Sequence, residues 1–269
     1  MLSDEDQRIM AEAIKITDFA ESKSISVRLL GALAIRTHIT NSVDLFTKLG
    51  RLGNASHLFT DADFIGYSKQ RVKLRGLFED QLKFKIAGYA MLSSKNRIIY
   101  NHPEGLFKVD IFFDALDFSH PVRFGNEPKN GRLALDTPTI TLVDLLLEKL
   151  QIHEINEKDV KDLIALLYEH RIDAHQDKEV IDAKYFAKTL ANDWGFWYDA
   201  NMNLDKVLTL AAGYQTGGLI SMDVLTNVKE KIAELKRYVD AEPKSKDWNS
   251  RSKTGTQKQW WKDVEEVSR

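Results

Sequence analysis

The chain has no cysteine. Disulfides, thiolate metal sites and a cysteine nucleophile are therefore excluded, and the composition suits a reducing compartment. Long apolar runs are missing as well. No stretch approaches the about 18 uncharged apolar residues that a spanning helix needs. The opening MLSDEDQRIMAEAIKITDFAES is charged from its fourth residue and lacks the apolar centre of a secretion signal. A soluble, cytoplasmic protein without a membrane partner is expected. Nor is there an excess of either charge: 38 Lys and Arg face 40 Asp and Glu, a net charge of −2. The molecule as a whole exerts no general pull on nucleic acid, so any such contact has to come from a local patch, and no DNA partner is expected. The seven histidines are scattered with no pair at the i, i+4 helical spacing, which argues against zinc. His170 and His175 stand five apart, and His57 reads as an ordinary surface histidine.

What is present is ordinary for a globular protein, with 43% hydrophobic and 29% charged residues over 269 positions. That length suits one large or two modest domains. Ser3 to about Ala20 reads as a helix, with Ser3 and Asp6 as a capping pair and Ile9, Ala13 and Ile16 on one face. Ile25 to Leu30 reads as a strand, Gly31 as a turn, and a helix follows near Leu33. NSVDLFTKLGRLGNAS, punctuated by Gly50, Gly53 and Asn54, reads as a connection or a short extra helix. HLFTDADFIGY is a second strand, and SKQRVKLRGLFEDQLKFKI a helix with Val72, Leu74, Leu77, Phe78 and Leu82 as its stripe. RIIYNHPEGLFKVDIFFDAL reads as a hairpin turning at NHPEG, and RLALDTPTIT as a further strand. From Leu142 onward the pattern becomes helical, opened by Thr141 with Asp144 three residues on. The expected organisation is an N-terminal helix (1–24), an α/β core (25–140), a helical domain (141–242) and a basic, aromatic tail (243–269).

The chemistry centres on FTDADFIGY. Residues two apart on a strand point to the same side, so Asp61 and Asp63 project together. Carboxylates held that close repel unless a cation lies between them. Mg²⁺ (or Mn²⁺) suits the pair, because it takes one or two carboxylates and completes its shell with water and phosphate oxygens. Asp110, alone between apolar neighbours in FKVDIFF, supplies a third acid. The other i, i+2 pair, Asp4 and Asp6, suits the positive end of a helix and needs no metal.

A strand–Gly31–helix turn, a strand bearing D-x-D and a strand bearing one Asp together resemble the nucleotidyltransferase superfamily related to DNA polymerase β. The likeness is greatest to the AbiE-type abortive-infection toxin nucleotidyltransferases and their uncharacterised bacterial and archaeal relatives. RLLGALAIRTH resembles the glycine motif, FTDADFIGY the metal motif and FKVDIFF the third-acid strand. TLVDLLLEKLQ and NEKDVKDLIALL resemble the helix lysine and the K-D-x-x-D run, and the likeness covers about Val27 to Leu167.

It implies an α/β (α+β) nucleotidyltransferase core with a mixed β-sheet flanked by helices, followed by a C-terminal helical domain. Asp61, Asp63 and Asp110 would bind metal and carry catalysis, with Asp110 helping to activate the acceptor hydroxyl. Gly31 and Ala32 would approach the nucleoside triphosphate, and Lys149 would touch phosphate or base. Lys158, Asp159 and Asp162 match the K-D-x-x-D run, as catalytic groups or as a cap or salt bridge. Acceptors in such a family include RNA (the tRNA 3′ end among them), proteins and small molecules, and the family implies an antitoxin partner.

Two departures stand out. Ala32 occupies a position where the family has Ser or Gly, and the gap from Gly31 to Asp61 is long, with an insertion around Asn41 to Ser56. Ala32 supports the alternative of a non-catalytic relative that binds a nucleotide or a partner protein. The aromatics Trp194, Phe196, Trp197 and Tyr198 read as a helix–helix core, with base stacking as the alternative. The tail from Lys244 to Lys262, with Trp248, Trp260 and Trp261, reads either as an RNA-gripping arm or as a segment docked on its parent domain.

Overall fold

The computed structural model describes residues 2–53, 57–88 and 96–264. In chain order they form helix α1 (Asp4–Ser22), strand β1 (Val27–Leu29), α2 (Gly31–His38), α3 (Val43–Leu49), β2 (Asp61–Gly66), α4 (Arg71–Gly76) and β3 (Lys85–Ile86). Then come β4 (Arg97–Asn101), β5 (Lys108–Phe113), α5 (Leu142–Leu150), α6 (Glu157–Glu169), α7 (Ala183–Leu190), α8 (Trp194–Thr216), α9 (Met222–Ala241) and α10 (Lys246–Ser252). Asn54 to Ser56, at the end of the expected insertion, and 265–269 of the expected tail lie outside the described residues. Two compact units emerge: Met1–His38 with Leu52–Leu116 and Arg123–Thr141, and Ile39–Arg51 with Asp117–Val122 and Leu142–Arg269.

The first unit is built on a five-stranded sheet of order β1-β2-β5-β4-β3. β2 and β5 run parallel while the other pairs are antiparallel, so the sheet is mixed. Period-2 alternation gives it one wholly apolar face of Ala62, Phe64, Val109, Ile111, Ile98 and Tyr100, all buried. The turn after α4 covers that face, with Phe78 stacked on Tyr100 at 5.3 Å and edge-on to Phe64 at 6.2 Å. Ser3 caps α1 by accepting the Asp6 N–H at 3.0 Å. Asp6 does a second job: its buried Oδ1 accepts the N–H groups of Leu58 (2.9 Å) and Phe59 (3.1 Å), fixing the approach to β2. Tyr67 lies wholly buried, its hydroxyl accepting the Leu133 N–H at 2.9 Å, directly against Gly131.

Three expectations need correction in this unit. Val72 is 85% exposed, because α4 turns Leu74 and the following Leu77 and Phe78 to the sheet and Val72 falls on the outer side. Lys85–Ile86 is an edge strand, since Leu82 closes the helical turn at Leu77 and the chain then extends. RLALDTPTIT makes a 3₁₀ turn at Arg132–Ala134 and a single bridge from Thr139 to Leu29. Pro138 follows a cis peptide there and has no N–H to donate, so only its carbonyl joins β1, accepting from Leu29.

The second unit is mainly helical. α5 is buried along its whole length, charged residues included. Side-chain caps start α6 (Asn156), α7 (Asp182), α8 (Asp193), α9 (Ser221) and α10 (Ser245), as the helical signature demands. α3 lacks such a cap of its own. Glu169, at the end of α6, instead fixes the loop leading into α3 by accepting the N–H groups of Thr40, Asn41 and Ser42 at 3.1, 2.8 and 2.9 Å. The Thr40 and Ser42 hydroxyls donate to it as well. The helical expectation is corrected at Arg171–Asp173 and Val180–Asp182, which pair as a short parallel ladder.

The tail is docked within this unit. Trp248 lies edge-on to Trp197 at 5.2 Å, Arg251 covers Trp194 at 4.9 Å, and Trp260 Nε1 donates to the fully buried Asp199 at 2.8 Å. Asp199 also meets His120 Nε2 at 2.6 Å and His153 Nδ1 at 3.0 Å. Among the described residues, no helix is long and apolar enough to cross a membrane.

Candidate active site

Paired residues in adjacent strands send their side chains to the same side of the sheet. The face opposite the apolar one is therefore fixed by register. Asp63 pairs with Asp110, and Asp110 with Ile99. One step along, Asp61 pairs with Lys108 and Lys108 with Asn101. One step the other way, Ile65 pairs with Phe112 and Phe112 with Arg97. Arg28 of β1 pairs with Ile65. Arg28, Asp61, Asp63, Arg97, Lys108 and Asp110 thus share one face with Asn101, and Lys85 joins them by pairing with Asn101. A sheet that only enclosed a core would carry apolar residues there.

Asp63 and Asp110 are direct cross-strand neighbours, brought together because β2 and β5 run parallel. Asp110 is 6% exposed, although it lies on the face opposite the apolar one. Its Oδ2 accepts from Arg97 Nη2 at 2.6 Å, and its Oδ1 is buried without a hydrogen bond. The Arg97 guanidinium lies over the Phe112 ring at 5.1 Å. The glycine turn reaches the same place: Leu30 N–H donates to the Asp63 carbonyl at 2.9 Å, so Gly31, the next residue, follows directly beside Asp63. Gly31 has φ +65°, which costs a side-chain-bearing residue but suits glycine. Ala32 is buried in the first turn of α2.

Lys149 belongs to the second unit, and its neighbours there are acids. Its Nζ lies 2.9 Å from Asp159 Oδ1 and 3.0 Å from Asp162 Oδ2, and Arg51 Nε meets the same Asp162 oxygen at 3.0 Å. Burial works against the ammonium, yet Asp159, Asp162 and Glu148 outweigh it and hold its pKa above the ordinary lysine value. The two aspartates of the K-D-x-x-D run, three apart on α6, form the receptor for this lysine. His57 sits near Glu5 at 3.4 Å, and His170 and His175 meet different acids, Glu179 and Asp173. Among the described residues, no group of three or more Asp, Glu or His side chains is arranged to hold a metal ion as the side chains stand.

Several participants escape a reading of the sequence alone. Arg97 shares a face with Asp110, a fact visible only once the NHPEG turn fixes the hairpin register. Arg51 sits in the inserted segment, and nothing local marks it as the second partner of Asp162. Asp6 looks like a plain first-turn acid.

No protein-family model matches the chain, and no curated protein matches it. Solved structures do. One is the antibiotic-resistance factor ANT(2'')-Ia, at 11% identity and a TM-score of 0.36, covering 60% of this chain and 83% of that one. Another is an antigenic nucleotidyltransferase-like protein from Paracoccidioides brasiliensis, at 11% identity and a TM-score of 0.36, covering 91% of this chain and 96% of that one. Similarity at this level carries no argument about chemistry, which has to come from the polar sheet face itself.

Proposed function

We propose that this chain is a metal-dependent nucleotidyltransferase that moves a nucleoside monophosphate from a nucleoside triphosphate to a hydroxyl acceptor. The observation that carries the reading is the cross-strand pair of Asp63 and Asp110, with a buried, hydrogen-bond-free carboxylate oxygen on Asp110. A buried carboxylate oxygen without a donor is costly unless a ligand completes it. Two adjacent carboxylates on a polar face suit a hard divalent cation, and Asp61, two residues along β2, would have to turn toward them to add a third oxygen donor. Asp61, Asp63 and Asp110 would hold Mg²⁺ or Mn²⁺. Bound there, the cation supplies charge neutralisation at the phosphate oxygens.

The protein's own groups do the rest. The left-handed turn at Gly31 would bring backbone N–H groups toward phosphate beside Asp63, and Ala32 would contribute only its N–H. The acceptor oxygen attacks the α-phosphorus, the bond to the bridging oxygen breaks, pyrophosphate leaves, and the hydroxyl proton passes to Asp110. Lys149 fastens α5 to α6 in this reading. A phosphate contact would require it to leave Asp159 and Asp162.

A second reading is a nucleotide-binding relative that no longer transfers, and two observations favour it. Ala32 offers phosphate no hydroxyl, and Arg97 already neutralises Asp110.

Both are tested by incubating the protein with each α-labelled nucleoside triphosphate and Mg²⁺ or Mn²⁺, with and without total RNA, alongside Asp63→Asn and Asp110→Asn. Label appearing on RNA, on protein or on a small molecule in wild type alone is the expected result, and it names the acceptor class. The toxin role and an antitoxin partner, which the sequence resemblance suggests, are read from growth arrest on expression and its relief. Metal-dependent nucleotide binding without transfer selects the second reading. Neither binding nor transfer removes both.

A further inference from the structure

We propose, independently of the nucleotidyltransferase reading, that residues 258–263 lock the segment Asp117–Val122 onto α8, and that strap and segment come away together. Asp117–Val122 belongs to the second unit, whereas the chain on either side of it, up to Leu116 and from Arg123, belongs to the first. Its place in the second unit is a buried one, with Ser119, His120 and Val122 each at most 4% exposed.

Strap and segment hang on the same groups. Asp199 offers Oδ1 to the Trp260 N–H at 2.8 Å and Oδ2 to His120 Nε2 at 2.6 Å. His153 lies flat against Trp261, ring centres 3.6 Å apart, while its backbone N–H donates to the Ser119 hydroxyl at 3.1 Å. Lys262 joins the two directly. Its N–H donates to the Ser119 carbonyl at 3.1 Å, and its ammonium reaches both Asp117 oxygens at 2.6 and 2.8 Å. Gly195, in the first turn of α8, makes room for both: a Cβ there would stand 2.7 Å from the Trp260 carbonyl oxygen and 3.1 Å from His120 Cε1. The strap is itself held in shape by Arg251, which covers Trp194 and donates to the Gly255 and Lys258 carbonyls at 2.8 and 2.7 Å.

Departure of the strap takes a donor from buried Asp199 and leaves the Ser119 carbonyl without its Lys262 partner. Groups in one such network do not act additively, and the coupling between the two segments is reciprocal. A tail that merely rested on α8 would open without disturbing Asp117–Val122.

Amide hydrogen exchange in the full chain, read by mass spectrometry over 117–122, 258–263 and α9, tests the lock. Trp260→Phe and Lys262→Met alter the strap alone, Asp117→Ala the segment alone, and Gly195→Ala crowds both. Trp260→Phe is expected to speed exchange about tenfold in strap and segment alike, with α9 within about twofold of wild type. Lys262 and Asp117 are 61% and 42% exposed, so loss of that ion pair from either side is expected to speed both segments only about threefold. Gly195→Ala is expected to loosen both at least as much as Trp260→Phe does. If Trp260→Phe fails to fold, Lys262→Met and Asp117→Ala decide, since both changes lie at the surface. A strap that opens while 117–122 keeps its protection overturns the lock, as does loosening of one segment alone by Gly195→Ala. Asp117→Ala that leaves the strap unmoved overturns it too. Equal acceleration in α9 makes the loss global and removes the lock as well.

Discussion

Replacing Lys149 by methionine keeps the length of the side chain and removes its charge. Asp162, 0% exposed, then retains only Arg51, while Asp159, 15% exposed, can turn to water. Breaking a buried ion pair from one side costs about 3–5 kcal/mol. Arg51 still neutralises Asp162, so the low end, about 3 kcal/mol, is the appropriate figure. At about 2–4 °C per kcal/mol for a chain of this size, the melting temperature should fall by about 6–12 °C. The pKa of Lys149 is raised above its ordinary 10.5, so the ammonium's contribution is fully present below that value and is lost only above it. The gap between wild type and variant should accordingly stay flat from about pH 6 to about pH 9. Adding Asp162→Asn should cost less than the sum of the two single changes, since each removes one half of the same pair. Differential scanning calorimetry of the four proteins measures all of this. A Lys149→Met protein that melts within about 1 kcal/mol of wild type and has lost nucleotide transfer would refute the structural role and return the lysine to the phosphate.

Glu169→Ala removes a carboxylate that accepts three backbone N–H groups of the loop just before α3, and urea melts should show a loss of about 2 kcal/mol. Burial raises the Glu169 pKa, but the Ser42 hydroxyl and the Asn41 and Thr40 N–H groups outweigh it and bring it down to about 2 from 4.5. Its stabilisation is whole above pH 4.5 and lost as pH falls toward 2, so the wild-type advantage over Glu169→Ala should narrow between those limits. Trp260→Phe deprives buried Asp199 of one donor and should cost about 1–2 kcal/mol; limited proteolysis should then cut the C-terminal segment sooner. Gly131→Ala would place a methyl 1.9 Å from the Tyr67 hydroxyl, and a melt should register about 2 kcal/mol of strain.

Local rules made much of this fold legible. Ser3 with Asp6 announces α1, the alternation in DADFIG separates acids from core, and NHPEG turns a hairpin, because each depends on residues a few positions apart. What escaped depends on partners that sequence order does not reveal. Three-residue strands at Arg171–Asp173 and Val180–Asp182 are too short to display a period. Lys149 stands out as a cation on an apolar stripe, but its receptor belongs to the next helix and its competitor Arg51 to an insertion. The tail's basic and aromatic composition allows an open arm but favours a docked strap, and Asp199, buried in α8, holds Trp260 in the docked position. Asp61, Asp63 and Asp110 were picked out by strand position and apolar context, whereas Arg97 needed the register.

The two units are interlaced along the chain. It passes from one to the other at 38/39, 51/52, 116/117, 122/123 and 141/142. No single cut, therefore, yields either unit whole. A protein ending after Thr141 would keep the acidic sheet yet strand Ile39–Arg51 without α6, taking Arg51 from Asp162 and the start of α3 from Glu169. The unit with the acidic sheet face is not a cassette that one cut can lend to another protein. It is inherited with its helical companion or not at all.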